Sequence, residues 1–303
     1  MSRVEFVALA LILTACSDNP VGPKPDGPAV IAHRGASHFA PEHTTAAYDR
    51  AISIGADFIE QDIARTSDGT IVIIHDATLD RTARGPALDC TGAVRDKTLS
   101  QLRRCDFGSW FNEAYPDRAS PAFNNQGILT LGEALARYGG TVGFYIEIKN
   151  PELYPGIEAE LVALLRSSGL SFGDGRHPAV YVQSFSAESL ERIRGIEAGL
   201  ALVQLVGAEG IATPGDFFEI QKYARGIALP GDAVSDLLIA LANAGCVALH
   251  PYGMNSADQM ASLLHRGVDG IITDRPDILR DIIRSETPVT GMTRAGCGLA
   301  ELR

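Results

Sequence analysis

From residue 29 onward, short apolar runs alternate with longer stretches of helical spacing. The runs are AVIAH (29–33), DFIEQDI (57–63), IVIIH (71–75), GFYIEIK (143–149), VYVQSF (180–185), LALVQLV (200–206), GIAL (226–229), VALH (247–250) and GIITD (270–274). Their length and their content of β-branched residues read as strands. Between most of them lie helix-period stretches such as Thr44 to Ile54 and Ile157 to Leu165. Strand–helix alternation over about 250 residues implies a parallel sheet, and that length suits a closed (β/α)8 barrel. A doubly wound open sheet is the structural alternative. It would be favoured by a glycine-rich phosphate fingerprint after the first strand, which the sequence lacks.

Nine runs are one too many for eight barrel strands. Asp68-Gly69 lies between the second and third runs, and Asp-Gly between extended segments signals a hairpin turn. A turn centred there pairs Asp62 with His75. It makes 71–75 an arm folded back on the second strand and distorts the barrel. Residues 76–127 then break the rhythm: they hold Gly, Pro and Asn without a βα repeat. They read as an insertion overhanging the C-terminal face of the barrel, where active sites of such barrels lie.

Composition changes the picture at the ends. Residues 1–15 carry Arg3 and an apolar run from Phe6 to Leu13, the pattern of a signal peptide, although Glu5 is unusual there. Leu13-Thr14-Ala15-Cys16 resembles the lipobox of bacterial lipoproteins, in which the cysteine is lipidated. Residues 16–28, rich in Pro, Gly and Asp, read as a tether, and 285–303 as a C-terminal tail. The barrel domain is then 29–284. The expected location is an exported, lipid-anchored protein facing the periplasm or the cell exterior, touching the membrane only through that anchor. No run reaches the roughly 18 apolar residues of a spanning helix. Export implies an oxidising compartment. Cys90 and Cys105 lie in a turn-rich stretch and are placed to close a loop, whereas Cys246, in an apolar segment, reads as a buried thiol. With 26 basic and 37 acidic residues the net charge is −11, which argues against nucleic acid as a partner.

Strand alternation then exposes the chemistry. In DFIEQDI, Glu60 and Asp62 share a face with Phe58, opposite Ile59, Gln61 and Ile63; in GFYIEIK, Glu147 and Lys149 oppose Ile146 and Ile148. The isoleucines suit packing on helices, so the charges point into the barrel. Three carboxylates converging there repel one another, and a hard divalent cation, Ca²⁺ or Mg²⁺, relieves that repulsion. A salt-bridge network with Lys149 and Arg34 is the plainer alternative. His33 and His75 end two of the strands and flank the cluster, as an acid–base pair would. Arg34 and Lys149 are rim cations suited to a phosphate.

The run HRGASHFAPEHTTAAYDRAISIGADFIEQDIARTSDGTIVIIHDATLDRTARG (33–85) resembles the glycerophosphodiester phosphodiesterases. DFGSWF (106–111), EIK (147–149), QSF (183–185) and GVDGIITDRP (267–276) extend the resemblance over about 29–284. It implies a distorted α/β barrel, catalytic histidines at His33 and His75, and metal carboxylates at Glu60, Asp62 and Glu147. It also implies phosphate contacts from Arg34 and Lys149. The implied reaction on a small-molecule phosphodiester is metal-dependent hydrolysis to sn-glycerol 3-phosphate and an alcohol. The family often carries Asn where His43 stands, and a different strand where ALHPYGMN (248–255) places His250 and Tyr252 on the expected pocket wall. Two other readings remain open: a phospholipase D-like enzyme acting on lysophospholipid or sphingomyelin, and a non-catalytic surface lipoprotein.

Overall fold

The computed structural model describes residues 27–170, 172 and 179–285. Nine strands form in the order of the nine apolar runs: β1 (Ala29–Ala32), β2 (Phe58–Arg65), β3 (Ile71–Ile73), β4 (Gly143–Ile148), β5 (Val180–Ser184), β6 (Ala201–Leu205), β7 (Gly226–Ala228), β8 (Ala248–Leu249) and β9 (Gly270–Thr273). Eight of them run parallel in the order β8-β7-β6-β5-β4-β2-β1-β9, and β3 pairs antiparallel with β2 outside that path. Single parallel bridges from Tyr252 to Pro230 and to Ile272 bring the two ends of the sheet together. The Ile272 amide also donates to Pro251 O at 2.9 Å.

The barrel strands are followed in turn by α1 (Thr45–Ile54), α2 (Leu131–Tyr138), α3 (Ile157–Ser167), α4 (Ala187–Ile196), α5 (Pro214–Gln221), α6 (Asp236–Ala244), α7 (Ala257–Arg266) and α8 (Pro276–Ser285). Local signals set these helices. Thr44 caps α1 through the Ala47 amide, and Gly55 ends it in the left-handed conformation. Thr130 and Glu133 form a reciprocal capping box on α2, whose Leu131, Ala134, Leu135 and Tyr138 make one buried face.

Two apolar layers result. A small one fills the barrel, with Ala29, Ile31, Phe58, Tyr145, Val203 and Ile272 among its members. A larger one lies between strands and helices and takes Ile59, Ile63, Phe144, Ile146 and Ile148. The outward isoleucines of β2 and β4 are therefore held by helix packing, which leaves Glu60, Asp62 and Glu147 on the inner face.

The hairpin differs from expectation by one residue. Ile63 pairs with Ile73 and Arg65 with Ile71, so Asp62 lies opposite Ile74, whose amide donates to Asp62 O at 2.9 Å. The loop is three residues long, Ser67 to Gly69, closed by Thr66 N–H to Thr70 O at 3.0 Å, with Gly69 at φ 85°. A turn followed by a left-handed glycine centres the hairpin on Asp68 rather than between Asp68 and Gly69. His75 lies beyond the paired residues.

Residues 76–127 form short helical turns around Trp110, Phe111 and Tyr115. Arg118 stacks on Tyr115 at 4.0 Å and donates to His38 O at 2.6 Å, fastening the segment to the loop after β1. A disulfide joins Cys90 and Cys105. Cys246 is exposed and disulfide-bonded, not a buried thiol. Val247 beside it is buried, while Cys246, in a left-handed conformation with φ 54°, is exposed. Cys16, the 1–15 leader, most of the 16–28 tether and nearly all of the 285–303 tail lie outside the described residues.

Replacing Cys90 and Cys105 together by serine is expected to lower unfolding free energy by about 3 kcal/mol, the loop-closure entropy of a 15-residue crosslink. Guanidinium titration checks this: an unchanged midpoint would show that the link contributes nothing.

Candidate active site

β1 ends at the C-terminal mouth of the barrel, and the chain there turns through two left-handed residues, Arg34 (φ 56°) and Gly35 (φ 85°). Only glycine fits the second position. A Cβ at Gly35 would stand 2.8 Å from the backbone of Ala47. The turn aims the Arg34 amide at Glu60 Oε2 (2.8 Å) and its guanidinium at Glu42 (3.2 Å) and Asp62 (3.5 Å). Strain in a non-glycine residue at such a point is the kind that functional sites retain.

Glu60, Asp62 and Glu147 are all buried. Asp62 and Glu147 lie directly opposite each other on β2 and β4. Lys149 Nζ donates to Glu147 Oε1 at 2.9 Å and stands 3.5 Å from Asp62 Oδ1. Burial and the charges of Asp62 and Glu147 hold the Glu60 carboxyl well above the usual range. Burial and Asp62 push Glu147 up to about 8, outweighing Lys149. For Asp62, burial acts the same way, but His43, Lys149 and Arg34 together hold the group well below its ordinary value. The protein has thus gathered three acids of which only one is readily ionised without further positive charge.

His43 is the residue that reading of the sequence missed. It lies at a left-handed position, φ 60°, fully buried, with Nε2 2.8 Å from Asp62 Oδ2 and Nδ1 2.9 Å from the Tyr48 hydroxyl. His43, Glu60 and Asp62 offer ligand atoms within 4.8 Å of one another, a group able to hold a metal ion. Here the Nε2–H donates to Asp62, so His43 orients that carboxylate, and oxygen donors remain for a cation. Asp62 Oδ1 and Gln183 Oε1 are buried without a hydrogen-bond partner. Orphaned acceptors beside mutually repelling acids fit a hard divalent cation.

The two predicted histidines are both at the mouth. His33 Nδ1 donates to Asp274 Oδ1 at 2.7 Å; Ser37 and Asn255 also donate to that carboxylate. Despite its burial, these partners hold Asp274 below the ordinary range. His75 Nδ1 donates to Asp76 Oδ1 at 2.5 Å. Burial, reinforced by Arg34 and Lys149 against the pull of Asp62, lowers His75 to about 4. Asp274 directly follows β9, the neighbour of β1, so ring closure seats it beside His33. Asp76 is in turn gripped by Arg81 Nε at 2.6 Å, and Arg81 clasps Glu42 with its other two nitrogens at 2.9 and 2.6 Å. A cavity of about 580 Å³ opens here, lined by His75, Glu147 and Lys149 among others. His250 lies away from the expected pocket wall, whereas Tyr252 stays close enough to Glu147 and Lys149 to feel their charges. His250 meets the Tyr145 hydroxyl inside the barrel at 3.0 Å, and Tyr252 sits in the closing seam.

Residues 33–278 match the glycerophosphoryl diester phosphodiesterase family. A glycerophosphodiester phosphodiesterase of Bacillus subtilis is 39% identical over 260 residues, covering 85% of this chain and 87% of that protein. Another from Caldanaerobacter subterraneus is 33% identical over 262 residues, covering 84% and 97%. Among solved structures, a glycerophosphodiester phosphodiesterase from Agrobacterium tumefaciens superposes with a TM-score of 0.67 at 28% identity, covering 84% of this chain and 99% of that one. An Oleispira antarctica phosphodiesterase, solved in complex with the product sn-glycerol-3-phosphate, gives 0.71 at 25%, covering 86% and 98%. A barrel with this acid-lined mouth and this likeness is a phosphodiesterase barrel. The chain belongs to the glycerophosphoryl diester phosphodiesterase family, whose members hydrolyse glycerophosphodiesters.

The raised Glu147 carries a pH signature. It is protonated in the folded protein up to about pH 8 and ionised in the unfolded chain above about 4.5, so metal-free stability falls as pH rises from about 4.5 to 8 and levels off beyond. Lowered His75 and His43 change stability only below about 6.5, and lowered Asp62 lower still. With EDTA, denaturation midpoints are expected to fall from pH 6.5 to 8, and an added divalent cation to stabilise most at pH 8. A pH-independent ion effect would contradict this charge balance.

Proposed function

We propose that the enzyme cleaves its glycerophosphodiester to sn-glycerol 3-phosphate and an alcohol by histidine acid–base chemistry, with Ca²⁺ or Mg²⁺ held by Glu60, Asp62 and Glu147. The observation that carries this reading is the pair His33 and His75, each with Nδ1 committed to a carboxylate, at the end of the barrel that holds the buried acids. A bound ion there supplies Lewis-acid neutralisation of charge developing on a phosphoryl oxygen. Arg34 and Lys149 hold the other oxygens by charge-assisted hydrogen bonds. His75, kept neutral by burial, accepts the proton of the nucleophile. His33, its Nδ1–H held by ionised Asp274, gives its other ring proton to the leaving alkoxide.

Soluble protein beginning after Cys16, stripped with EDTA and resupplied with Ca²⁺ or Mg²⁺, is expected to release glycerol 3-phosphate from glycerophosphocholine. His33→Ala should slow that release by about 10²- to 10⁴-fold but affect a p-nitrophenyl diester, which needs no acid, far less. His75→Ala should slow both alike. Near-wild-type turnover by His75→Ala would overturn the scheme.

We also propose that Cys16, outside the described residues, anchors the exported protein to lipid. Its sequence context supports this. Cys16→Ser should leave the chain uncleaved or secreted; continued processing and membrane attachment would refute the anchor.

A further inference from the structure

Helix α6 is apolar on both of its sides. Leu238, Ile239 and Ala242 turn into the core, and Asp236 and Asn243 are its only polar residues. Leu237, Ala240, Leu241 and Ala244 recur at the spacing of one helix face, opposite the buried one. Leu237 is 59% exposed, Ala240 and Ala244 are exposed, and Leu241 is half-buried. On the neighbouring α5, Phe218 is also exposed. It lies one turn before Gln221, whose Nε2 donates to Gly245 O at the end of α6 at 2.8 Å. A helix that is apolar all round belongs under a cover.

The outer stripe of α6 runs towards Cys246. That cysteine is disulfide-bonded, and Cys90 and Cys105 are bonded to each other, so its partner lies outside the described residues. The chain has two other cysteines, Cys16 and Cys297. The sulfur of Cys16 is the atom that the proposed lipid anchor occupies. Cys297 belongs to the 286–303 segment, whose Val289, Met292, Leu299 and Leu302 are the kind of side chain that an apolar face can bury. Helices α6 and α8 both run back from the mouth that holds the acids, so Cys246 and Ser285 share the opposite end of the barrel. With α7 between them, these helices stand about two helix spacings apart, roughly 20 Å. The stretch from Ser285 to Cys297 can span up to about 40 Å.

We propose that residues 286–303 dock across the outer face of α6 and are locked there by a Cys246–Cys297 disulfide. Closing the lock turns two thiols into one disulfide; the two electrons and two protons pass to a donor disulfide, which becomes a dithiol. The Cys90–Cys105 link needs the same oxidising surroundings. The full chain, digested without reduction, is expected to yield Cys246 and Cys297 in one crosslinked peptide. Cys246 joined instead to Cys16, or to a cysteine of a second copy, overturns the proposal. Docking is read separately, by amide exchange of α6 and by binding of an apolar dye. Cys297→Ser should exchange α6 about tenfold faster and bind more dye. Its glycerophosphodiester turnover should stay at the wild-type level, because the change lies at the far end of the barrel from the acids. Adding Leu237→Ser to Cys297→Ser should remove most of the extra dye, which places it on the α6 stripe. Exchange and dye binding unchanged in Cys297→Ser overturn the docking even if the crosslink is found.

Discussion

Three carboxylates buried at one barrel mouth are the constraint around which this molecule is arranged. An uncompensated buried charge costs several kcal/mol, and Glu60, Asp62 and Glu147 cannot all ionise without added positive charge. The protein compensates one of them well. Asp62 has His43, Arg34 and Lys149 about it, while Glu60 and Glu147 keep raised proton affinities. The deficit is of the sign and size that a divalent cation corrects. It persists because the apolar outer face of β2 and β4, packed under helices, holds the acids inward.

The cost of the arrangement is spread over several elements. Arg34 and His43 both sit in left-handed conformations within one loop, and both direct a cationic or hydrogen-donating group at Asp62. Arg81 ties that loop to the hairpin arm, bonding Glu42 on one side and Asp76 on the other, with its guanidinium 5.5 Å from the Trp110 ring. The segment after the hairpin is therefore joined to the orientation of both Arg34 and His75. A segment that looks like a surface elaboration supplies a structural brace for the mouth.

Much of this was legible in the chain. Nine apolar runs became nine strands, because each run is bounded by turn or capping residues and each outward face is continuous enough to pack on a helix. The period of two along DFIEQDI and GFYIEIK placed every acid on its observed face, since alternation is a local property of extended backbone. The hairpin was found and its register misplaced by one residue. Asp-Gly marks a turn, but whether the glycine closes a two-residue loop or forms a bulge depends on how the strands twist together.

What the sequence by itself determined was the set of strands and helices, the inward acids, and the family through the spacing of HRG, IEQD, HD and EIK. The tertiary structure alone decided who meets whom. Asp274 reaches His33 only because β9 closes onto β1, some 240 residues away in the chain. His43, which reads as an incidental substitution, is brought to Asp62 by a left-handed turn that no local pattern announces. Local periodicity is written residue by residue, whereas charge pairing and pKa depend on distances that exist only after the ring has closed.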